Sequence, residues 1–188
     1  MENLNDKIRQ NCWDKALDAF GFTYIYSKRI TGINFLLNWT KVLGVLIPVF
    51  LGGITASYYT NSSVMTLALF FTAPLAIAQL GLSTALIVLG SDRKLTDYTE
   101  KAVGYSLLNS EFEHLAKFPD TDYNSYSKKY EILLERERAL SKGNSNLKDK
   151  ELRKGMRAGL RNYRRECVGC KTTPTSMTST KCDVCGNF

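Results

Sequence analysis

Between Val42 and Ser91 the chain carries no Asp, Glu, Lys or Arg: VLGVLIPVFLGGITASYYTNSSVMTLALFFTAPLAIAQLGLSTALIVLGS. A helix on the surface of a soluble protein shows a charged face every turn, and no such face can be drawn here. A helix needs about 20 apolar residues to cross a hydrocarbon core ~30 Å thick, so the block holds two crossings. Val42 to about Tyr59 makes the first and Val64 to Gly90 the second, with TNSS at 60–63 as the polar turn between them. The competing reading, a helical hairpin buried in a soluble core, would leave fifty uncharged residues with no polar face at all.

Charge flanking the block sets its orientation. Lys28, Arg29 and Lys41 precede the first crossing, Arg93, Lys94 and Lys101 follow the second, and the intervening turn is uncharged. The positive-inside rule then puts both termini in the cytoplasm. Glu2, Asp6, Asp14 and Asp18 precede an apolar run that begins some forty residues in, a poor fit to a cleaved signal peptide, so both segments are expected in the mature protein.

A cytoplasmic tail decides how the cysteines are read. Cys167, Cys170, Cys182 and Cys185 are spaced C-x2-C-x11-C-x2-C. In a reducing compartment such pairs are metal ligands or redox dithiols rather than structural disulfides. Four thiolates from two knuckles make a closed tetrahedral Zn2+ site, which holds structure and does not catalyse. The intervening KTTPTSMTSTK is too polar to form a core, so metal is expected to supply the fold of this small ribbon. The redox alternative needs a C-x-x-C at the start of a helix within a βαβ pattern, which is absent. Cys12 reads as a lone core or surface thiol, and His114 as a helix surface residue.

The remaining sequence is helical in period. Leu4, Ile8, Trp13, Leu17 and Phe20 mark an amphipathic helix that Gly21 is expected to end, and FTYIYSKRITGINFLLNW at 22–39 reads as interfacial. Leu95, Tyr98, Ala102, Tyr105, Leu108, Phe112 and Leu115 form one stripe, broken at Pro119, and Tyr123, Tyr126, Tyr130, Leu133, Glu137 and Leu140 form another. Two such helices close as an antiparallel hairpin or join a coiled coil with other copies. KGNSN at 142–146 reads as a linker. Arg153, Arg157, Arg161 and Arg164 then share one helical face, beside Leu152, Met156, Leu160 and Tyr163. That face suits lipid head groups, a nucleic acid backbone or an acidic partner protein, or is simply solvated.

The second crossing carries its own stripe of small or polar side chains at Ala68, Thr72, Ala76, Gln79 and Ser83, and the first has Gly44, Pro48, Gly52 and Thr55. An amide in hydrocarbon needs a partner, so Thr72, Ala76, Gln79 and Ser83 are expected to face a pore or subunit contact, or the companion helix. Two helices cannot enclose a channel, so a pore requires a homo-oligomer.

No catalytic constellation accompanies these features: there is one His and no G-x-S-x-G, G-x-x-x-x-G-K-[ST] or His-Glu metal motif, so the chain is not expected to be an enzyme. The order of an amphipathic N-terminal helix, YSKRITGINF, a two-helix membrane hairpin and a helical tail, over residues 10–140, resembles the SLATT family of two-transmembrane effectors associated with nucleotide-signalling systems. CVGC and CDVCG look like those of mobile-element proteins known by the C-x2-C-x11-C-x2-C spacing. The SLATT resemblance implies an oligomer that permeabilises the bacterial inner membrane in antiviral defence, with a defence-system partner protein or nucleotide signal as its trigger. The alternative is a membrane-tethered adaptor whose zinc ribbon and basic helix bind nucleic acid or a cytosolic protein. The expected fold is an all-α membrane protein: helices over 1–41, the hairpin at 42–91, cytoplasmic helices at 92–141, a linker and basic helix at 142–165, and the ribbon at 166–188.

Overall fold

The computed structural model describes residues 2–58 and 62–188, so Thr60 and Asn61 of the expected turn lie outside the described residues. Five α-helices follow in order: α1 (Glu2–Tyr58), α2 (Ser62–Val88), α3 (Ser91–Lys117), α4 (Tyr123–Ser141) and α5 (Asp149–Asn162). A short 3-10 turn, Asn144–Asn146, precedes α5, and no strand forms among the described residues. The chain divides into two compact units: one of Met1–Arg29 with Tyr98–Phe188, the other of Ile30–Asp97.

In the first unit the N-terminal half of α1 packs among α3, α4 and α5. Arg9 Nε donates to Ala116 O at 3.1 Å, Asn109 Nδ2 to Ala16 O at 2.8 Å, and Phe22 stacks on Tyr105, so α1 and α3 run antiparallel. Tyr126 OH donates to Leu115 O at 3.2 Å and Arg136 pairs with Glu111 at 2.8 Å, which closes α3 and α4 as an antiparallel hairpin. Both periodic stripes point inward here, burying Tyr105, Leu108, Phe112, Tyr126 and Leu133 around Cys12 and Tyr26. Asp122 starts α4 by accepting from Ser125 N at 2.9 Å, a normal N-cap. The segment read as a linker is a packed corner: Asn144 accepts from Tyr26 OH at 2.5 Å and donates to Tyr105 OH at 2.7 Å.

Gly21 does not end the first helix. α1 continues through it because its missing side chain is needed for packing rather than for a turn. A Cβ on Gly21 would lie 3.0 Å from Gly155 O, one on Gly155 would lie 2.8 Å from Gly21 O, and one on Gly159 would lie 2.8 Å from Leu17 O. Glycine inside a helix costs about 1 kcal/mol relative to alanine, and the close crossing of α1 and α5 is what offsets it. Arg29 clamps the crossing at its far end with two bonds to Glu151, at 2.7 and 2.6 Å. Glu151 also accepts from Lys148 N at 2.9 Å, fixing the start of α5.

In the second unit α1 and α2 are the two helices long and apolar enough to cross a membrane, and only 6% of either 18-residue apolar window is buried. Ala68, Thr72, Ala76, Gln79 and Ser83 are half-buried, whereas Phe70, Phe71, Ile77, Leu80 and Ile87 are exposed. The small-polar stripe therefore faces the companion helix, and a Cβ on Gly44 would lie 3.0 Å from Gln79 Nε2. The stripe expected on the first crossing holds only at Gly44. Pro48, Gly52 and Thr55 are exposed, while Ile47, Leu51 and Ile54 turn inward, because branched side chains fill the groove that small residues leave on α2.

The crossing of α1 and α5 makes a direct prediction. Gly155→Ala should lower the unfolding free energy of the first unit by about 1–3 kcal/mol through overpacking, although alanine favours helix by about 1 kcal/mol. Thermal or urea unfolding followed by helical circular dichroism measures it, and a stabilised variant would contradict the close crossing.

Candidate metal centre

The four cysteines of the tail converge. Their sulfurs all lie within 4.8 Å of one another, with Cys167 Sγ and Cys182 Sγ 3.8 Å apart and Cys170 Sγ and Cys185 Sγ 3.9 Å apart. A tetrahedron of sulfurs at about 2.3 Å from one ion has edges of about 3.8 Å, and the two shortest edges here match it, so the set suits a metal of the four-thiolate class.

Each knuckle is built by its backbone. In the first, Lys171 N donates to Cys167 O at 2.8 Å and Cys167 N to Thr172 O at 3.0 Å, while Gly169 N points at Cys167 Sγ at 3.4 Å. In the second, Gly186 N and Asn187 N both donate to Cys182 O at 2.8 Å. Lys171, after the first pair, holds the left-handed φ of 55°, whereas Gly186 is required because a Cβ would lie 1.9 Å from Thr180 Oγ1. The knuckles are joined by turns with no ribbon strands, since eleven residues rich in Thr and Ser are fixed by side-chain bonds such as Ser179 Oγ to Gly186 O at 2.8 Å.

The sulfurs experience different fields. Hydrogen bonds with the Thr172 hydroxyl and backbone pull the Cys170 thiol down to about 6, and backbone donors at Cys185 and Val184 lower Cys182. Burial pushes Cys185 up to about 12. Backbone and hydroxyl donors thus favour thiolate at two positions, and a cation held among the sulfurs would do the same at the buried one.

The module is seated on the helices rather than tethered to them. Cys167 and Cys185 are fully buried in a cluster with Leu17 of α1 and Leu160 of α5, against which Met156, Tyr163, Cys182 and Val184 pack. Tyr163 is edge-on to Trp13 and Phe20, donates to Glu113 Oε1 at 2.6 Å and accepts from Asn109 Nδ2 at 2.5 Å. Asp14 of α1 pairs with Arg165 just before the first knuckle.

The four arginines expected on one anion-binding face separate. Arg157 is 6% exposed: its Nε donates to Ser176 O at 2.7 Å and its Nη1 to Cys185 O at 3.3 Å, with Cys185 Sγ 3.8 Å away. Arg153 Nη1 donates to Asn187 O at 2.9 Å. Arg161 is exposed on α5, and Arg164 lies beyond that helix at φ 51°. The face bearing Arg153 and Arg157 is thus the seat of the cysteine module. No sequence signal distinguishes these two from Arg161; the Gly155–Gly159 spacing, on the opposite side of α5, is a signal that could have marked that side for close packing against α1.

Residues 9–188 match the family model of the mobilome CxxCx(11)CxxC proteins, a span that includes most of α1 and all the later helices as well as the knuckles. The chain belongs to this family. No curated protein and no solved structure matches it. As a mobilome CxxCx(11)CxxC protein it carries its defining cysteines in one four-sulfur cluster.

Cys12 makes a contrast with the cluster. It is fully buried under Tyr126 in the helical core, and burial raises its thiol to about 11. Iodoacetamide at pH 8 should label Cys170 and Cys182 once a chelator is added and spare Cys12 until the chain is unfolded. Mass spectrometry reads this, and early labelling of Cys12 would contradict the packed core.

Proposed function

We propose that this chain is a two-transmembrane protein of the bacterial inner membrane, with both termini cytoplasmic and a Zn2+ closed by Cys167, Cys170, Cys182 and Cys185, whose copies assemble to permeabilise the bilayer in antiviral defence. The observation that carries the membrane reading is the second unit: two apolar helices with only 6% of their apolar windows buried and Phe, Leu, Ile and Val on the outside. Exposed apolar surface on this scale is not maintained in water. Zinc is the first choice for four thiolates in a tetrahedron, where it supplies a closed structural link and no open coordination position. The SLATT resemblance supports the effector role, with a defence-system protein or nucleotide signal as trigger and no enzymatic step.

Assembly in this reading uses the outer face of the first crossing. Gly52 and Gly53 have nothing within 4 Å of a built Cβ, and Pro48 and Thr55 are exposed beside them. Small residues let helix backbones of neighbouring copies approach in lipid, where packing drives association. Gln79 is turned toward Gly44, inside the hairpin rather than on this outer face.

A second reading, a membrane-tethered adaptor that binds nucleic acid or a cytosolic protein, is favoured by that inward position of the polar stripe and by exposed Arg161 and Arg164. Ion flux from liposomes separates the two. Wild-type protein should release ions after triggering or at high density, and Gly52→Leu should reduce the flux severalfold at equal membrane abundance. Gln79→Leu should instead disturb hairpin packing, because its side chain sits against Gly44. Wild-type protein that inserts and assembles yet passes no ions would leave the adaptor reading standing.

A further inference from the structure

Arg157 is the buried charge that the helical packing does not explain. Its guanidinium touches two carbonyl oxygens and a sulfur, and it forms no ion pair with a carboxylate among the described residues. A buried cation without a counter-charge is strongly unfavourable, and arginine cannot shed its proton to escape the cost. The nearest group able to carry negative charge is the four-cysteine cluster, and a divalent ion held by four thiolates leaves that cluster with a net charge of about −2. The side of the cluster formed by Cys167 and Cys185 is buried beside Leu17 and Leu160, where charge favours a nearby cation, while Cys170 is exposed. On that side the two burials offset each other.

We propose that Arg157 is the positioning residue of the metal centre and that metal binding and seating of the cysteine module on α1 and α5 are one coupled equilibrium. Arg157 spans the coupling physically: it stands on α5, holds the loop between the knuckles through Ser176, and holds the last ligand through the Cys185 carbonyl. Removing the ion removes the tie that holds the two knuckles together around Arg157, so the module leaves its seat and uncovers Leu17 of α1 and Met156 and Leu160 of α5. In the function proposed above this makes the metal centre a lock on the first unit. The inference rests on the metal reading but on neither the effector nor the adaptor role.

The test uses the full chain in lipid nanodiscs, with Co2+ as a spectroscopic probe and Zn2+ in competition with a chromophoric chelator. Arg157→Met should weaken metal affinity by about 10- to 100-fold, the range found for groups that support metal ligands, and Arg157→Lys should recover part of the loss. Chelation of the wild type should raise amide exchange at residues 14–21 and 153–162 as well as in the tail. Should Arg157→Met fail to fold, Cys182→Ser provides the same readout, with those two segments exchanging as in chelated wild type. Affinity within twofold of wild type in Arg157→Met, or exchange that changes only at 166–188, would overturn the coupling. A wild type that binds neither Co2+ nor Zn2+ would instead remove the metal reading itself.

Discussion

The seat of the cysteine module on the α1–α5 crossing is the constraint on which the first unit depends. Gly21, Gly155 and Gly159 bring two backbones together, and the pair of helices so formed presents Leu17, Leu160 and Arg157 to the knuckles. Neither half is self-sufficient. A tail of Thr, Ser and four cysteines buries too little apolar surface to fold alone, and α5 is a short helix with two interior glycines. Each supplies what the other lacks: the helices give an apolar floor and a fixed cation, and in the proposed coupling the metal-loaded cysteines give the charge that makes that cation tolerable.

The N-terminal half of α1 belongs to this unit and the rest of the helix to the apolar one, with no break at the boundary between Arg29 and Ile30. Arg29, the last residue of the first unit's share, is held by Glu151, Tyr98 and the Asn146 carbonyl. The cysteine module is therefore packed on the N-terminal half of the helix whose later half forms the first apolar segment.

Much of this was legible in the sequence where a pattern had a single physical cause. An uncharged block of fifty residues has few solutions, and paired C-x2-C knuckles place four sulfurs at one point. The stripes at Tyr105, Leu108 and Phe112 and at Tyr126 and Leu133 show which sides of α3 and α4 are buried. What failed were residues with two uses. Gly21 fits a helix end and a close helix neighbour equally well, since a missing side chain serves both. Arg157 was grouped with Arg153, Arg161 and Arg164 because a helical period ranks faces but says nothing of what covers them. Pro48, Gly52 and Thr55 were placed inward by size, yet Ile47, Leu51 and Ile54 occupy that side.

The central claim is that a metal ion held by four thiolates closes the tail against the helices. X-ray absorption at the zinc edge of the purified full-length protein tests it most directly. The account predicts one ion per chain surrounded by four sulfur scatterers at about 2.3 Å, with no nitrogen or oxygen ligand. A first shell containing oxygen or nitrogen, or protein that folds with its module seated and no metal bound, would contradict it.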